Sequence, residues 1–382
     1  MSGERDLDQQ LASYGVPDPK VESVRGSAFT AFVGDDVPTI GEGLWVGAPE
    51  GRVLARVSRL AGNRRVEAVT LSESSAVVVG APVARASAQA HLPGPGAGDT
   101  LDLSRASFVL EGEGALGWSP GRPGFAALDA RRPALTLGMD ALDLLSPLAA
   151  RGANLVVDQS ADASAFVALV EAARTALSPD ALLCVEAPGL ESIVESSTHT
   201  VRPGGSPEGA AWALRAVALW GERSRAAVGS TLVVVSLPAW SIDEADFRFG
   251  GETGLEVSFS ELVDWLGEAL VSTREGAVTL VMRVPVEESA RGLADLADTL
   301  AVGDVDAQVF FEAGVYDPRR SRSRAEQPDE ARVEALRTRG AIARADASRE
   351  RAALFGDDEI GFDEESDMEL AAALEDLDLG SY

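Results

Sequence analysis

The run Asn154-Leu-Val-Val-Asp-Gln-Ser-Ala-Asp-Ala-Ser-Ala-Phe-Val-Ala-Leu-Val-Glu-Ala-Ala-Arg-Thr-Ala-Leu177 changes its period midway. Asn154 to Val157 is short and nearly all apolar, the pattern of a strand buried on both faces. From Ala163 onward Phe166, Leu169, Val170, Ala173 and Leu177 recur at steps of three and four, which predicts an amphipathic helix over 163–177. Ala181 to Val185 repeats the strand pattern. Reading outward, Asp140 to Ala150 predicts a helix, and Pro207 to Arg223 another, with Ser206 as its N-cap. Thr231 to Val235 reads as a strand, Ser260 to Leu270 as a helix, and Val278 to Val284 and Gln308 to Phe311 as strands. Strands alternating with helices predict a mostly parallel sheet covered on both faces.

Upstream the texture differs. Phe29 to Val33, Gly43 to Val46, Arg52 to Leu60, Val66 to Leu71 and Ala76 to Val79 are short β-branched runs between turn residues, a small all-β module. Asp99 to Phe125 is rich in Gly and Pro and reads as a connector. Downstream of Pro328 the chain is rich in Glu, Arg and Ala to Leu354, the composition of an exposed helix. Ser366-Asp-Met-Glu369 then has the spacing of a capping box ahead of a short Leu-rich helix ending near Leu379.

Composition narrows the chemistry. With 382 residues, 46% hydrophobic and 25% charged, the chain has material for two or three folded domains. The formal charge is −28, which disfavours a nucleic-acid backbone as partner. Eleven carboxylates and no basic residue lie between Phe355 and Tyr382, leaving about −17 for the remainder. Lys20 is the only lysine, Cys184 the only cysteine, and His91 and His199 the only histidines. An intrachain disulfide is therefore excluded, and lysine chemistry has one candidate. Cys184, inside an apolar strand, reads as a core residue. The histidines read as surface loop residues, and Trp212 and Trp220 as core or interface anchors. No run approaches the roughly 18 apolar residues of a membrane span, and the opening Met1-Ser-Gly-Glu-Arg-Asp6 has no apolar leader core. A cytoplasmic chain is expected.

One long segment is specific. Arg131-Arg-Pro-Ala-Leu-Thr-Leu-Gly-Met-Asp-Ala-Leu-Asp-Leu-Leu-Ser-Pro-Leu-Ala-Ala-Arg-Gly152 resembles the segment R-P-L-x-T-G-I-x-A-I-D-x-L-x-P-x-x-x-G that enters the nucleotide-binding domain of rotary ATPase head subunits, the alpha and beta subunits of ATP synthases. His91-Leu-Pro-Gly-Pro-Gly-Ala-Gly98 resembles that family's exit from its N-terminal barrel, and Glu312 to Arg324 its segment ending S-x-S-R. Ala353 to Asp367 resembles the acidic loop with which beta-type subunits touch the rotor. The resemblance implies a multidomain fold: a tail and small β-barrel over 1–98, a connector over 99–130, a RecA-like α/β domain with a mostly parallel sheet over 131–326, and a short helical C-terminal domain with an acidic tail over 327–382.

The departures are chemical. A phosphate loop, G-x-x-x-x-G-K-[ST], uses glycines to bring backbone N–H groups onto phosphates, a lysine for charge and a hydroxyl for Mg²⁺. Here Asp158 and Ala163 stand at the glycine positions, Ser164 at the lysine and Ala165 at the hydroxyl. Ser236 ends the apolar strand where the family carries its metal-organising Asp. Gly189 is followed by Leu190 and Glu191, so the beta-type catalytic glutamate has no counterpart in register. Binding of ATP and Mg²⁺ is not expected, and no catalytic or metal residue is assigned. Arg324 matches the arginine the family directs at a neighbour's nucleotide, although Arg319, Arg320, Arg322 and Arg324 also read as a solvated basic loop. Asp357, Asp358, Glu359, Asp363, Glu364 and Glu365 match the rotor-contacting loop. The implied role is a non-catalytic structural or regulatory subunit, a pseudoenzyme packed beside an ATPase homologue with an intact loop. A rotor or stalk subunit is a further implied partner, and the inner membrane is met only through that complex. A free-standing scaffold that keeps only the fold, and a working head subunit with an atypical site, are the alternatives.

Overall fold

The structure, a computed structural model, describes residues 18–26, 28–49, 51–71, 77–94, 100–103, 108–111, 115–116, 125–159, 162–203, 207–236, 247–248, 256–257, 266–267, 269–285 and 305–355. They fall into two compact units, one drawn from Met1–Trp118, Pro203–Ala213 and Phe247–Glu256, the other from Ser119–Arg202, Leu214–Asp246 and Val257–Tyr382.

The first unit holds β1 (Lys20–Arg25), β2 (Ala28–Phe32), β3 (Glu42–Ala48), β4 (Gly51–Gly62), β5 (Arg65–Thr70), β6 (Val83–Pro93), β7 (Thr100–Asp102), β8 (Val109–Leu110) and β9 (Ala115–Leu116). Its sheet is antiparallel in the order β1-β2-β5-β4-β3-β6-β8, with β9 also on β6. Alternation sets the register. Ala31, Val66 and Leu44 turn inward with Phe29, Ala68 and Val57 to form one apolar cluster. On the opposite face of β5, Glu67 pairs with Arg59 of β4. Asn63 and Arg64, both at positive φ, form the two-residue loop joining β4 to β5, a backbone whose twist suits a hairpin. The segment before β6 also bonds to the first strand: Val21 N–H donates to Ala81 C=O at 2.9 Å, Val83 N–H to Pro19 C=O at 3.1 Å, and Lys20 bridges Pro82. His91 stands in β6, half-buried, rather than in a surface loop, because β6 continues to Pro93.

The second unit contains α1 (Asp140–Leu145), β10 (Ala153–Asp158), α2 (Ser164–Leu177), β11 (Ala181–Val185), α3 (Glu191–Ser196) and β12 (His199–Arg202). After them come α4 (Pro207–Val228), whose residues from Leu214 onward belong here, and β13 (Ser230–Ser236). The chain then passes through two short strands, β14 (Phe247–Arg248) and β15 (Glu256–Val257), of which Phe247–Glu256 are counted with the first unit, before this unit's β16 (Ala277–Pro285), β17 (Ala307–Glu312), β18 (Val315–Tyr316), β19 (Arg322–Ser323) and α5 (Asp329–Phe355).

The strands β17-β10-β16-β13-β11-β12 run parallel in that spatial order, while β18 and β19 add antiparallel to β17. One face carries Val156, Leu182, Val234 and Val281 against Phe166 and Leu169 of α2 and Ile193 of α3. The other receives α4, where Gly221 admits the helix: a Cβ there would collide with Leu270 and lie 3.5 Å from Val233. The mostly parallel sheet, covered on both faces, matches the alternation in the sequence.

Several boundaries differ from the expected ones for local reasons. α1 stops at Leu145 instead of Ala150, since Ser146 leaves helical geometry and Pro147 cannot continue the ladder. α4 runs past Arg223 to Val228 and stops at Gly229, which has φ +96°. β12, unexpected from four mixed residues, pairs with β11 and places His199 in a strand, half-buried, its ring 5.7 Å edge-on from Trp220. Trp212 meets Phe108 edge-on at 5.5 Å in the first unit, so each tryptophan anchors a different core. Ser206 and most of the expected helix Ser260–Leu270 lie outside the described residues. No helix among the described residues is long and apolar enough to cross a membrane.

Side chains of the entry segment fasten the sheet's N-terminal edge. Asp143 accepts the N–H groups of Leu137, Gly138 and Met139 at 2.8–3.2 Å. Arg132 pairs with Asp306 at 3.2 Å, and Asp306 accepts the Ala153 N–H at 2.9 Å. Asn154 is fully buried: its Oδ1 accepts Ala149 N–H at 2.7 Å, and its Nδ2 donates to the carbonyls of Ala149 and Leu280 at 3.0 and 3.1 Å. Replacing it strands backbone groups without water. Asn154→Ala is expected to lower stability by about 3 kcal/mol, seen in urea titration as a lower midpoint with an unchanged m value.

Candidate functional site

β10 is the strand around which the sheet changes direction. The chain leaves it for β11 and β12 at one edge, returns through β13 and β16, and then lays β17 on the other side of β10. Ligand clefts of open α/β sheets form outside the carboxyl ends of strands at such a point. Asp158 is the last residue of β10, and α2 begins six residues later.

A buried ion pair occupies this position. Asp158 is 0% exposed and Arg283, two residues before the end of β16, is 6% exposed. Arg283 Nε donates to Asp158 Oδ2 at 2.8 Å, and its Nη2 donates to the Asp162 carbonyl at 3.1 Å. One guanidinium thus holds both the strand end and the loop leading into α2. Two apolar cores make this contact possible, because β10 and β16 are register neighbours and Val156 sits opposite Arg283. Ser236, at the end of β13, is the register partner of Arg283 on its other side and is buried.

Asp162 and Ser164, just ahead of and at the start of α2, bond to each other. The Asp162 carboxylate accepts Ser164 N–H at 3.1 Å and Ser164 Oγ–H at 2.7 Å. Those bonds, with the nearby Arg283 charge, hold its carboxyl below the ordinary range. Ser164 is exposed, Ala165 is half-buried against the α2 core, and Ala163 is buried. A Cβ at Gly189 (φ +83°) would lie 2.9 Å from the Ala163 methyl, so glycine is required there by both backbone and neighbour. Glu191 faces its own turn, accepting Gly189 N–H at 3.2 Å.

The structure therefore brings Asp158, Ala163, Ser164, Ala165 and Ser236 to one end of the sheet, and it adds Arg283, which the sequence reading did not single out. Arg324 is elsewhere. It follows β19, which pairs with the start of β17 at Ala307 and Gln308, whereas Asp158 is the register partner of Phe311. That is four residues, about 13 Å, along the strand direction. Its side chain is exposed. The other arginines of that segment have structural partners: Arg319 binds Asp346 at 2.9 Å, Arg320 lies 4.5 Å over the Phe310 ring, and Arg322 donates to Gln308 Oε1 at 2.8 Å. Asp357, Asp358, Glu359, Asp363, Glu364 and Glu365 lie outside the described residues.

Comparison with models of protein families gives no match, and comparison with curated proteins gives none. The assignment rests on the residues and their geometry.

Chemically, this end of the sheet holds two carboxylates, a buried guanidinium committed to one of them, and a serine hydroxyl committed to the other. Charge attraction for a polyphosphate is missing. Among the described residues no three His, Cys, Asp or Glu side chains are grouped to hold a metal ion. A second concavity of about 360 Å³ lies at the opposite end of α2, lined by Arg174, Thr175, Ser178, Leu182 and Thr198. Its side chains are also occupied: Arg174 pairs with Glu171 at 2.6 Å, and Thr175 and Ser178 donate to backbone carbonyls.

Breaking the buried pair from one side strands a charge. Arg283→Met is expected to destabilise the fold by about 3–5 kcal/mol, whereas Asp158→Asn combined with Arg283→Met recovers most of the loss; equilibrium unfolding of the two variants beside the unaltered chain measures this. Burial also pushes the Cys184 thiol, and the Tyr316 phenol that bonds Ser146 Oγ at 2.7 Å, up to about 12. Raised acid pKa values mean that the native state keeps protons the unfolded chain releases. Stability is therefore full below about pH 9 and is lost between there and pH 12. Native Cys184 should accordingly resist thiol reagents at pH 8 and react on unfolding.

Proposed function

We propose that this chain is a non-catalytic relative of rotary ATPase head subunits, a pseudo-ATPase that serves as a structural or regulatory partner of an active homologue. The single observation that carries this reading is the Asp158–Arg283 pair. It lies between the first strand of the parallel sheet and the helix that follows, where a phosphate loop would close on its anion. Strand, loop and helix are kept, while lysine, glycines and hydroxyl are replaced. Arg283 satisfies the loop from within the chain.

The finer fold assignment belongs to the same proposal. A RecA-like second unit is supported by the interior position of β10 and by the C-terminal placement of the loop. A barrel in the first unit is supported by the Lys20–Pro82 bridge, which bonds the first strand to the segment entering β6. Arg324 is exposed and distant from its own loop, which suits a residue acting on a neighbouring subunit. The partner is then a paralogue with an intact G-x-x-x-x-G-K-[ST], in a ring or related complex, with a rotor or stalk subunit facing the acidic residues 357–365.

Calorimetric titration with Mg-ATP is expected to give no binding heat up to millimolar concentration, and Ser164→Lys alone should leave this unchanged. A micromolar Kd for the unaltered chain would overturn the proposal in favour of a working subunit with an atypical site. Protein isolated from its own cells should co-elute in size exclusion with a homologue bearing the intact loop. A monomer there would point to the free-standing scaffold.

A further inference from the structure

The outward face of α5 is unlike an ordinary solvated helix face. Toward the second unit α5 buries Ala335, Ile342 and Ala345, the first two against Leu145 of α1. Arg339 fastens it by donating to the Leu145 and Ser321 carbonyls at 2.7 and 2.9 Å. On the opposite side Val333, Leu336, Gly340, Ala343 and Ala347 follow one another at steps of three and four. Val333 and Leu336 are 48% and 64% exposed. Exposed Arg332, Arg337 and Arg344 flank this stripe, Arg337 also pairing with Glu334 at 3.6 Å. Exposed leucine and valine in line with glycine and alanine, bordered by positive charge, make a seat for an acidic amphipathic helix.

We propose that Ser366–Leu379 of this same chain, which lies outside the described residues and whose sequence predicts a capped helix, is the occupant, docking antiparallel along this face. Leu370, Leu374 and Leu377 fall at steps of four and three, and Asp367, Glu369, Glu375, Asp376 and Asp378 border them. The apolar rows therefore oppose each other while carboxylates meet arginines. The lengths agree. Fourteen residues of helix extend about 21 Å, as does the stripe from Val333 to Ala347. The link also reaches: residues 356–365 can span about 33 Å, whereas Ala347 is about 12 Å of helix rise from Phe355. Gly340 stands at the centre, and the Arg344 guanidinium folds over it, its Nη1 3.4 Å from where a Cβ would lie. This inference does not depend on the proposed function.

The test uses the full chain with cysteines in place of Ala343 and Ala373 and a short bismaleimide, since packed helices lie about 8–10 Å apart. Buried Cys184 does not compete. An intramolecular cross-link is expected, and it should fall more than tenfold when Leu336→Asp and Leu374→Asp are added. Because Leu336 is exposed, the altered chain should keep its cooperative unfolding. The yield should also fall as salt rises from 0.05 to 0.5 M, through screening of the flanking charges. A link formed between two chains would assign the face to a second copy and overturn the proposal. So would a yield indifferent to the two aspartates, which would mean only chance encounter of a tethered segment.

Discussion

A fully buried carboxylate must be paired, and in this protein that requirement fixes the carboxyl end of β10. Asp158 ends the central strand β10 inside two apolar faces and has no access to water. Its charge is met by Arg283 from the adjacent strand. The register between β10 and β16, the position of the loop before α2 and the burial of Ser236 are all tied to that contact. Pairs of this kind gain little net stability over an apolar replacement, yet losing one partner is costly. The pair thus constrains the local structure more than it strengthens it.

On the proposed reading, the same contact accounts for a nucleotide site that binds no anion. An anion bound at a helix N-terminus needs free backbone donors and a nearby cation. At α2, the Asp162 carboxylate takes the Ser164 amide and hydroxyl, and Arg283 is held by Asp158 and the Asp162 carbonyl. Ala163 packs toward Gly189, which leaves less room for the loop to open. The described donors at the start of α2 are thus met from within the chain.

Much of the second unit was legible in the sequence, because β10, α2, β11 and β13 each carry an unambiguous period. Asn154–Val157 and Ala181–Val185 are apolar runs too short for helices, and Phe166 to Leu177 keeps one face. Arg283 was not legible. It interrupts the apolar run Val278–Val284, and its partner is 125 residues away, so only strand order brings them together. β12 escaped notice because four mixed residues carry no period, and its strand character comes from pairing with β11. The end of α1 was misjudged because apolar residues continue past Pro147, although the proline itself marks the stop. Asp158, Ala163, Ser164, Ala165 and Ser236 could be set at the ends of their strands and helix from the sequence periods, but the arginine that meets Asp158 could not.

On the proposed reading, Arg283 stays bonded to Asp158 and to the Asp162 carbonyl whether or not nucleotide is present. The most direct test of this claim is the ¹⁵Nε–H signal of Arg283, assigned by comparison with Arg283→Met. The account predicts solvent exchange slowed well below that of exposed arginines and a resonance unmoved by millimolar Mg-ATP. Fast exchange, or a shift that saturates with added nucleotide, would show that the guanidinium yields its place and would contradict the account.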